Sequence, residues 1–259
     1  MEPGRPAAFT LVELLVVIAI ICLLLSILTP TLGRAKQLVR GNVCQSNLHQ
    51  VHMGFAQYFA AGEGSLLVAP TNSGSVHNTF WSWGGTTMDY DYLYMPSTWN
   101  KTTNPFTRGI NRFMPPESKA WICPSDPPST RAPWPPLTGI QPAYFGAVGT
   151  SYQYNAFLVG PVSIPIAQRN PPYRKSSQIR RADKTWLVNE WPAYDVCWPY
   201  ARPAWWCDTP LWSFHDPNAA PFNTIGATGN QTVFFDGHVK YIAYSVGIWE
   251  TWDYTISDR

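Results

Sequence analysis

The chain has 259 residues, room for one domain and an anchor. A net charge of +2, with only 13% charged residues, excludes a nucleic-acid binder or a binder of anionic membranes held by charge alone. Its 13 Trp, 13 Tyr and 12 Phe exclude a disordered chain, and beside 25 Pro and 18 Gly they predict a loop-rich head packed with large side chains.

The amino-terminal end carries the strongest signal. From Ala7 to Pro30 the sequence reads AAFTLVELLVVIAIICLLLSILTP. Phe9 to Leu28 supplies the roughly 20 apolar residues that a membrane-spanning helix needs. One carboxylate, Glu13, lies near the start of the run. Such a group costs about 2.5–3.5 kcal/mol at the middle of an inserted helix and less near the interface. The run offers Glu13 no cation, so a cationic partner has to come from elsewhere. A secretory signal peptide would have an apolar core of only about 7–15 residues. An uncleaved anchor is the plainer alternative. Positive charge alone weakly places the head in the cytoplasm, with Arg5 before the run and Arg34, Lys36 and Arg40 after it.

Phe9-Thr10-Leu11-Val12-Glu13, after a short polar leader, resembles the processing site of type IV prepilins and pseudopilins. The resemblance implies a cut between Ala8 and Phe9 by a prepilin peptidase, then methylation of the new amine. It implies that Glu13 is the assembly carboxylate, meeting the free amine of a neighbouring subunit. Pro30 matches a helix-bending proline of that family. One departure is Ala8, where the family usually has Gly. The implied domains are a leader at 1–8, a transmembrane and filament-core segment at 9–30, and a head at 31–259. The motif places the head outside the cytoplasm, against the weak charge argument.

Beyond Pro30 the pattern stays helical. Leu38, Val43, Leu48, Val51, Phe55 and Phe59 form an amphipathic stripe, which predicts one helix from about Thr10 to Ala60. Gly41 and Gly54 weaken it locally, and Gly62 and Gly64 are stop signals. From Glu63 to Gly149 no period emerges, and the segment reads as long loops with a few short strands. The carboxyl-terminal part is β-like at Ser151–Val159, Lys184–Asn189, Gln231–Phe235 and His238–Tyr244, the last two joined through Asp236-Gly237. The expected class is α+β: a long amino-terminal helix packed on a carboxyl-terminal antiparallel sheet.

Four segments narrow the resemblance: Cys44-Gln45-Ser46-Asn47-Leu48, Cys123-Pro124-Ser125-Asp126, Ser151-Tyr152-Gln153-Tyr154-Asn155-Ala156 and Phe235-Asp236-Gly237-His238-Val239. In this order they resemble a large bacterial family of pilin-like proteins with a carboxyl-terminal Asp-Gly signature. That family often has a His ten residues before the Asp-Gly pair, where this chain has Gly226. A role for that His does not carry over.

Cys22 lies in the apolar run and serves as a small hydrophobe. Four head cysteines allow three pairings, of which Cys44 with Cys123 and Cys197 with Cys207 are the ones expected in an exported head. No pair has CxxC spacing. His49 and His52 sit at i and i+3 with no third ligand in view, and read as surface histidines. Asp208, Asp216, Asn218 and Asp236 offer hard oxygens of the kind calcium takes in sets of about 6–8. Pseudopilins of secretion systems often carry calcium in a comparable region, yet turn chemistry already accounts for Asp236 and for Asp216-Pro217-Asn218. Trp191, Trp198, Trp205 and Trp206 suit either a packed loop core or stacking on sugars.

There is no GxSxG and no phosphate-binding loop. The expected protein is a non-enzymatic structural subunit of a type IV pilus-like filament or pseudopilus, with no cofactor. It sits first as a single-pass inner-membrane protein and then in a cell-surface filament. Its expected partners are copies of itself, the peptidase, an inner-membrane assembly platform and a separate ATPase motor, and not nucleic acid. The competing expectation is a membrane-anchored glycan-binding module that does not polymerise.

Overall fold

The computed structural model describes residues 10–67, 83–86, 109–126, 149–155, 158, 175–190 and 228–244. They fall into two units, Met1–Val39 and Arg40–Arg259. Helix α1, Leu11–Ala61, contributes to both.

In the first unit the helix opens on a reciprocal cap. The Glu13 backbone N–H donates to Thr10 Oγ1 at 3.2 Å, and the Thr10 backbone N–H donates to Glu13 Oε2 at 2.8 Å. Two donors of the helix start, which have no partner in the helix itself, are thereby satisfied. The few hydroxyls of the apolar run turn back onto the preceding turn. Ser26 donates to the Leu23 carbonyl, Thr29 to that of Leu25 and Thr31 to that of Leu28, all at 2.7–2.8 Å. No hydroxyl is left to be solvated, which suits an apolar medium. Pro30 lies inside the helix, where it removes one backbone donor. Leu11, Ile18, Leu24, Ile27 and their apolar neighbours are half to three-quarters exposed.

In the second unit α1 buries Cys44, Asn47, Leu48, Val51, Gly54 and Phe55. Spacings of three and four residues hold these on one face. Leu38 and Val43 do not join them, being 71% and 42% exposed. Val43 points one step, about 100°, around the helix from Cys44, and Leu38 about 120° the other way. Cys44 takes the place on the stripe that Val43 was expected to fill. Gly54 is there for closeness: a Cβ would lie 3.3 Å from Ile110 Cγ2 and 3.5 Å from Met114 Cβ. The helix ends as Gly62 and Gly64 suggest, in a Schellman cap. The Gly64 N–H reaches back to the Phe59 carbonyl, and Glu63, at φ 53°, takes the left-handed position usually held by Gly.

Four strands form one antiparallel sheet in chain order: β1 (Tyr152–Tyr154), β2 (Trp186–Glu190), β3 (Thr228–Phe234) and β4 (Val239–Tyr244). All four were legible as β-like runs. The alternation of β1 turns Tyr152 and Tyr154 toward α1. Tyr154 stacks on Phe55 at 5.4 Å between ring centroids, and Trp83 lies on Phe55 at the same distance. Trp83 in turn meets Trp121 edge-on at 5.3 Å. Between Glu63 and Gly149 the described residues hold two 3-10 turns, Gly109–Arg112 and Lys119–Trp121, and a single bridge of Ser65 to Lys175, rather than short strands.

The β3–β4 connection is the Asp-Gly turn expected, with Gly237 at φ +93°. Asp236 Oδ1 accepts from the His238 backbone N–H at 3.1 Å and lies 2.6 Å from His238 Nδ1. A Cβ at Gly237 would stand 2.6 Å from His52 Cε1. His52 is therefore half-buried under the turn, 3.3 Å from the Phe235 carbonyl, and is not the surface residue its spacing implied. Burial lowers its pKa below the ordinary 6.5, and the Phe235 carbonyl and Asp236 offset this in part. The unfolded chain then takes up a proton more readily than the folded one. The contribution of neutral His52 is intact above the ordinary value and is lost as pH falls through it toward the depressed one. A urea series on the detergent-solubilised protein should show less acid destabilisation below about pH 6.5 in His52→Gln than in the wild type. Parallel pH profiles would contradict this.

Candidate functional site

Two places gather chemistry. The first is the start of α1. Thr10 holds the Glu13 carboxylate through its backbone N–H and its hydroxyl, both at 2.8 Å, on an exposed helix end. Glu13 is thus both a cap and an outward-facing charge, and its place in a Thr-x-x-Glu pattern is a signal the sequence reading passed over. Ala8 and Phe9 lie outside the described residues.

The second was not anticipated as a site. Cys44 comes from the buried stripe of α1. Cys123 comes from the turn after Lys119–Trp121, tied by the Asp126 N–H to the Cys123 carbonyl at 2.9 Å and by the Ser151 hydroxyl to Asp126 Oδ2 at 2.6 Å. Tyr152 and Glu190 face each other across β1 and β2. Directly opposed residues share a face, so both reach the helix. The four side chains are all 0–1% exposed.

Their heavy atoms converge. Cys44 Sγ lies 3.0 Å from Cys123 Sγ, 3.1 Å from the Tyr152 hydroxyl and 2.8 Å from Glu190 Oε1. Cys123 Sγ is 3.3 Å from the same Oε1 and accepts from the Ser125 N–H at 3.4 Å. The Gln231 N–H donates to Glu190 Oε2 at 3.0 Å. Burial first, then the neighbouring Cys44 thiol and the Glu190 carboxylate, push the Cys123 thiol well up. Burial, with the two cysteines next, does the same to the Tyr152 hydroxyl. Both are therefore held toward their neutral forms at ordinary pH.

Cys44 and Cys123, the first expected disulfide pair, are thus brought together, their sulfurs 3.0 Å apart. Cys197 and Cys207 lie outside the described residues, as do Asp208, Asp216, Asn218, Trp191, Trp198, Trp205 and Trp206. Asp236, the one described residue of the calcium set, serves the turn. Glu190 was missed. Its signal was a carboxylate at the end of the strand-like run Trp186-Leu187-Val188-Asn189-Glu190.

Residues 5–29 match the prokaryotic N-terminal methylation motif. Helix α1 is long and apolar enough to cross a membrane, with a mean hydropathy of 3.2 over its most apolar window, and none of that window is buried in the chain itself. Motif and helix support a type IV pilin- or pseudopilin-like surface subunit, anchored in a membrane before assembly. They imply processing by a prepilin peptidase and handling by pilus assembly machinery in general. No curated protein and no solved structure matches the chain.

Proposed function

We propose that this chain is a structural subunit of a type IV pilus-like filament or pseudopilus, polymerised through the first half of α1. One observation carries the reading. The apolar window of α1 is 0% buried within the chain, although its hydroxyls are internally satisfied and its start is capped. An apolar surface of that length needs lipid or protein around it. Lipid serves before assembly and the helices of other subunits after it. Transfer from lipid gains little from the hydrophobic effect, so packing and the pairing of Glu13 with a neighbour's amine have to supply the drive.

Processing and polymerisation test this together. The mature chain should begin at Phe9 with a methylated amine, read by intact mass of membrane-extracted protein. Filaments containing it should appear by electron microscopy of material sheared from the cell surface. A chain that keeps Met1 to Ala8 and remains in the detergent-soluble membrane fraction would favour the uncleaved anchor. The glycan-binding alternative would show in that case as binding to immobilised polysaccharide without polymerisation.

A further inference from the structure

The thiol–carboxylate cluster of the head plays no part in that reading and stands apart from it. We propose that Cys44, Cys123 and Glu190 form a structural site for one thiophilic divalent cation, zinc by the character of its donors. The three ligand atoms lie within 4.8 Å of one another and every one is wholly buried. Two sulfurs and a carboxylate oxygen are a borderline-soft set of the kind that takes zinc in a closed tetrahedral site. Among the described residues the Tyr152 hydroxyl, 3.1 Å from Cys44 Sγ, stands ready for the fourth position.

The surroundings are those of ligands held for a cation. The Ser125 N–H points at Cys123 Sγ and the Gln231 N–H at Glu190 Oε2. Donors to the outer side of thiolate and carboxylate fix their orientation and offset the charge that exceeds the ion's. With both thiols ionised the ligands carry three negative charges against two positive, and these hydrogen bonds face that excess. Two thiolates on one tetrahedral zinc stand about 3.8 Å apart, so loading the site widens the present 3.0 Å pair by a small side-chain adjustment.

A disulfide between the same two sulfurs is the rival, and the two exclude each other because a ligand must be a thiolate. Glu190 decides between them. Its Oε1 lies 2.8 Å from Cys44 Sγ and 3.3 Å from Cys123 Sγ, placed to share one ion with both sulfurs, a position that a disulfide does not call for. The ion would join three parts of the head that are far apart in sequence: α1 at Cys44, the turn at Cys123 and the end of β2 at Glu190.

The test uses the full-length chain purified in detergent without added reductant or chelator. Elemental analysis should find about one zinc per chain. Replacement by Co2+ should give a near-ultraviolet thiolate-to-cobalt band, which histidine and carboxylate sites lack. Glu190→Gln and Tyr152→Phe, both close in volume to the native residues, should weaken zinc in a chelator competition by 10-fold or more, and Cys44→Ser should abolish the band. If those variants do not fold, the wild-type metal content and cobalt spectrum decide alone. A metal-free protein two mass units light with Cys44 joined to Cys123, or bound cobalt without the thiolate band, would overturn the proposal.

Discussion

Filaments should be lost from Glu13→Gln as completely as from Glu13→Ala, with both proteins still inserted in the membrane and their heads folded. The pair of substitutions is needed because Glu13 has two jobs that Ala removes together. It accepts the Thr10 backbone N–H and so closes the start of α1. It also presents a negative charge on an exposed helix end. Gln at the same place fills a capping box about as well as Glu but carries no charge. A cap alone predicts normal filaments from Glu13→Gln and fewer from Glu13→Ala. An assembly charge predicts failure of both, because a neighbour's amine would lie in an apolar filament core with no anion, and an unpaired buried charge costs several kcal/mol. Membrane insertion does not confuse the result, since either change makes insertion easier. The abundance of sheared filaments, with membrane-fraction immunoblots as the control, reads the outcome. Wild-type filament numbers from Glu13→Gln would overturn the assembly role.

How far the sequence disclosed this protein depended on whether local pattern or distant contact decides each feature. The apolar run, the four β-like runs and the Asp236-Gly237 turn are set by neighbours in the chain, and all were legible. The Schellman end of α1 was legible from Gly62 and Gly64, although Glu63 and not a glycine takes the left-handed conformation at its centre. The buried stripe was half legible. Leu48, Val51 and Phe55 were found, but Leu38 and Val43 drew the line too far round the helix, because hydrophobicity does not reveal where a helix leaves its core. Gly54 looked like a weakness and is a contact, a fact fixed by Ile110 and Met114 more than fifty residues away. Of the thiol–carboxylate cluster only the meeting of Cys44 with Cys123 was legible, as an expected pair, and Tyr152 and Glu190 were not. Cys44, Cys123, Tyr152 and Glu190 converge only once α1, the turn after Trp121 and two strands have packed, and no spacing in the sequence records that.

Phe55→Ala should be the most damaging single truncation on the head's helix face, costing about 3–5 kcal/mol as buried Phe-to-Ala changes do. Against a typical domain stability of about 5–15 kcal/mol, that leaves the head marginal or unfolded. Phe55 is wholly buried, and its ring lies against Trp83 and Tyr154, each at 5.4 Å, with Phe59 at 5.7 Å. It is where α1 meets both the strand β1 and the Trp83–Trp121 pair, so the lost ring leaves a cavity bounded by large, rigid side chains that cannot close in. Met53, two residues earlier and 59% exposed, is the internal control, with an expected change of about 0.5 kcal/mol or less on truncation to Ala. Urea unfolding of the detergent-solubilised chain gives both values. A loss under about 1 kcal/mol for Phe55→Ala, no more than a single methylene costs in a packed core, would mean that the aromatic stack does not hold the head. The two failures also differ in kind. Glu13→Gln should leave a protease-resistant head that does not polymerise, while Phe55→Ala should leave a membrane-inserted helix whose head is digested.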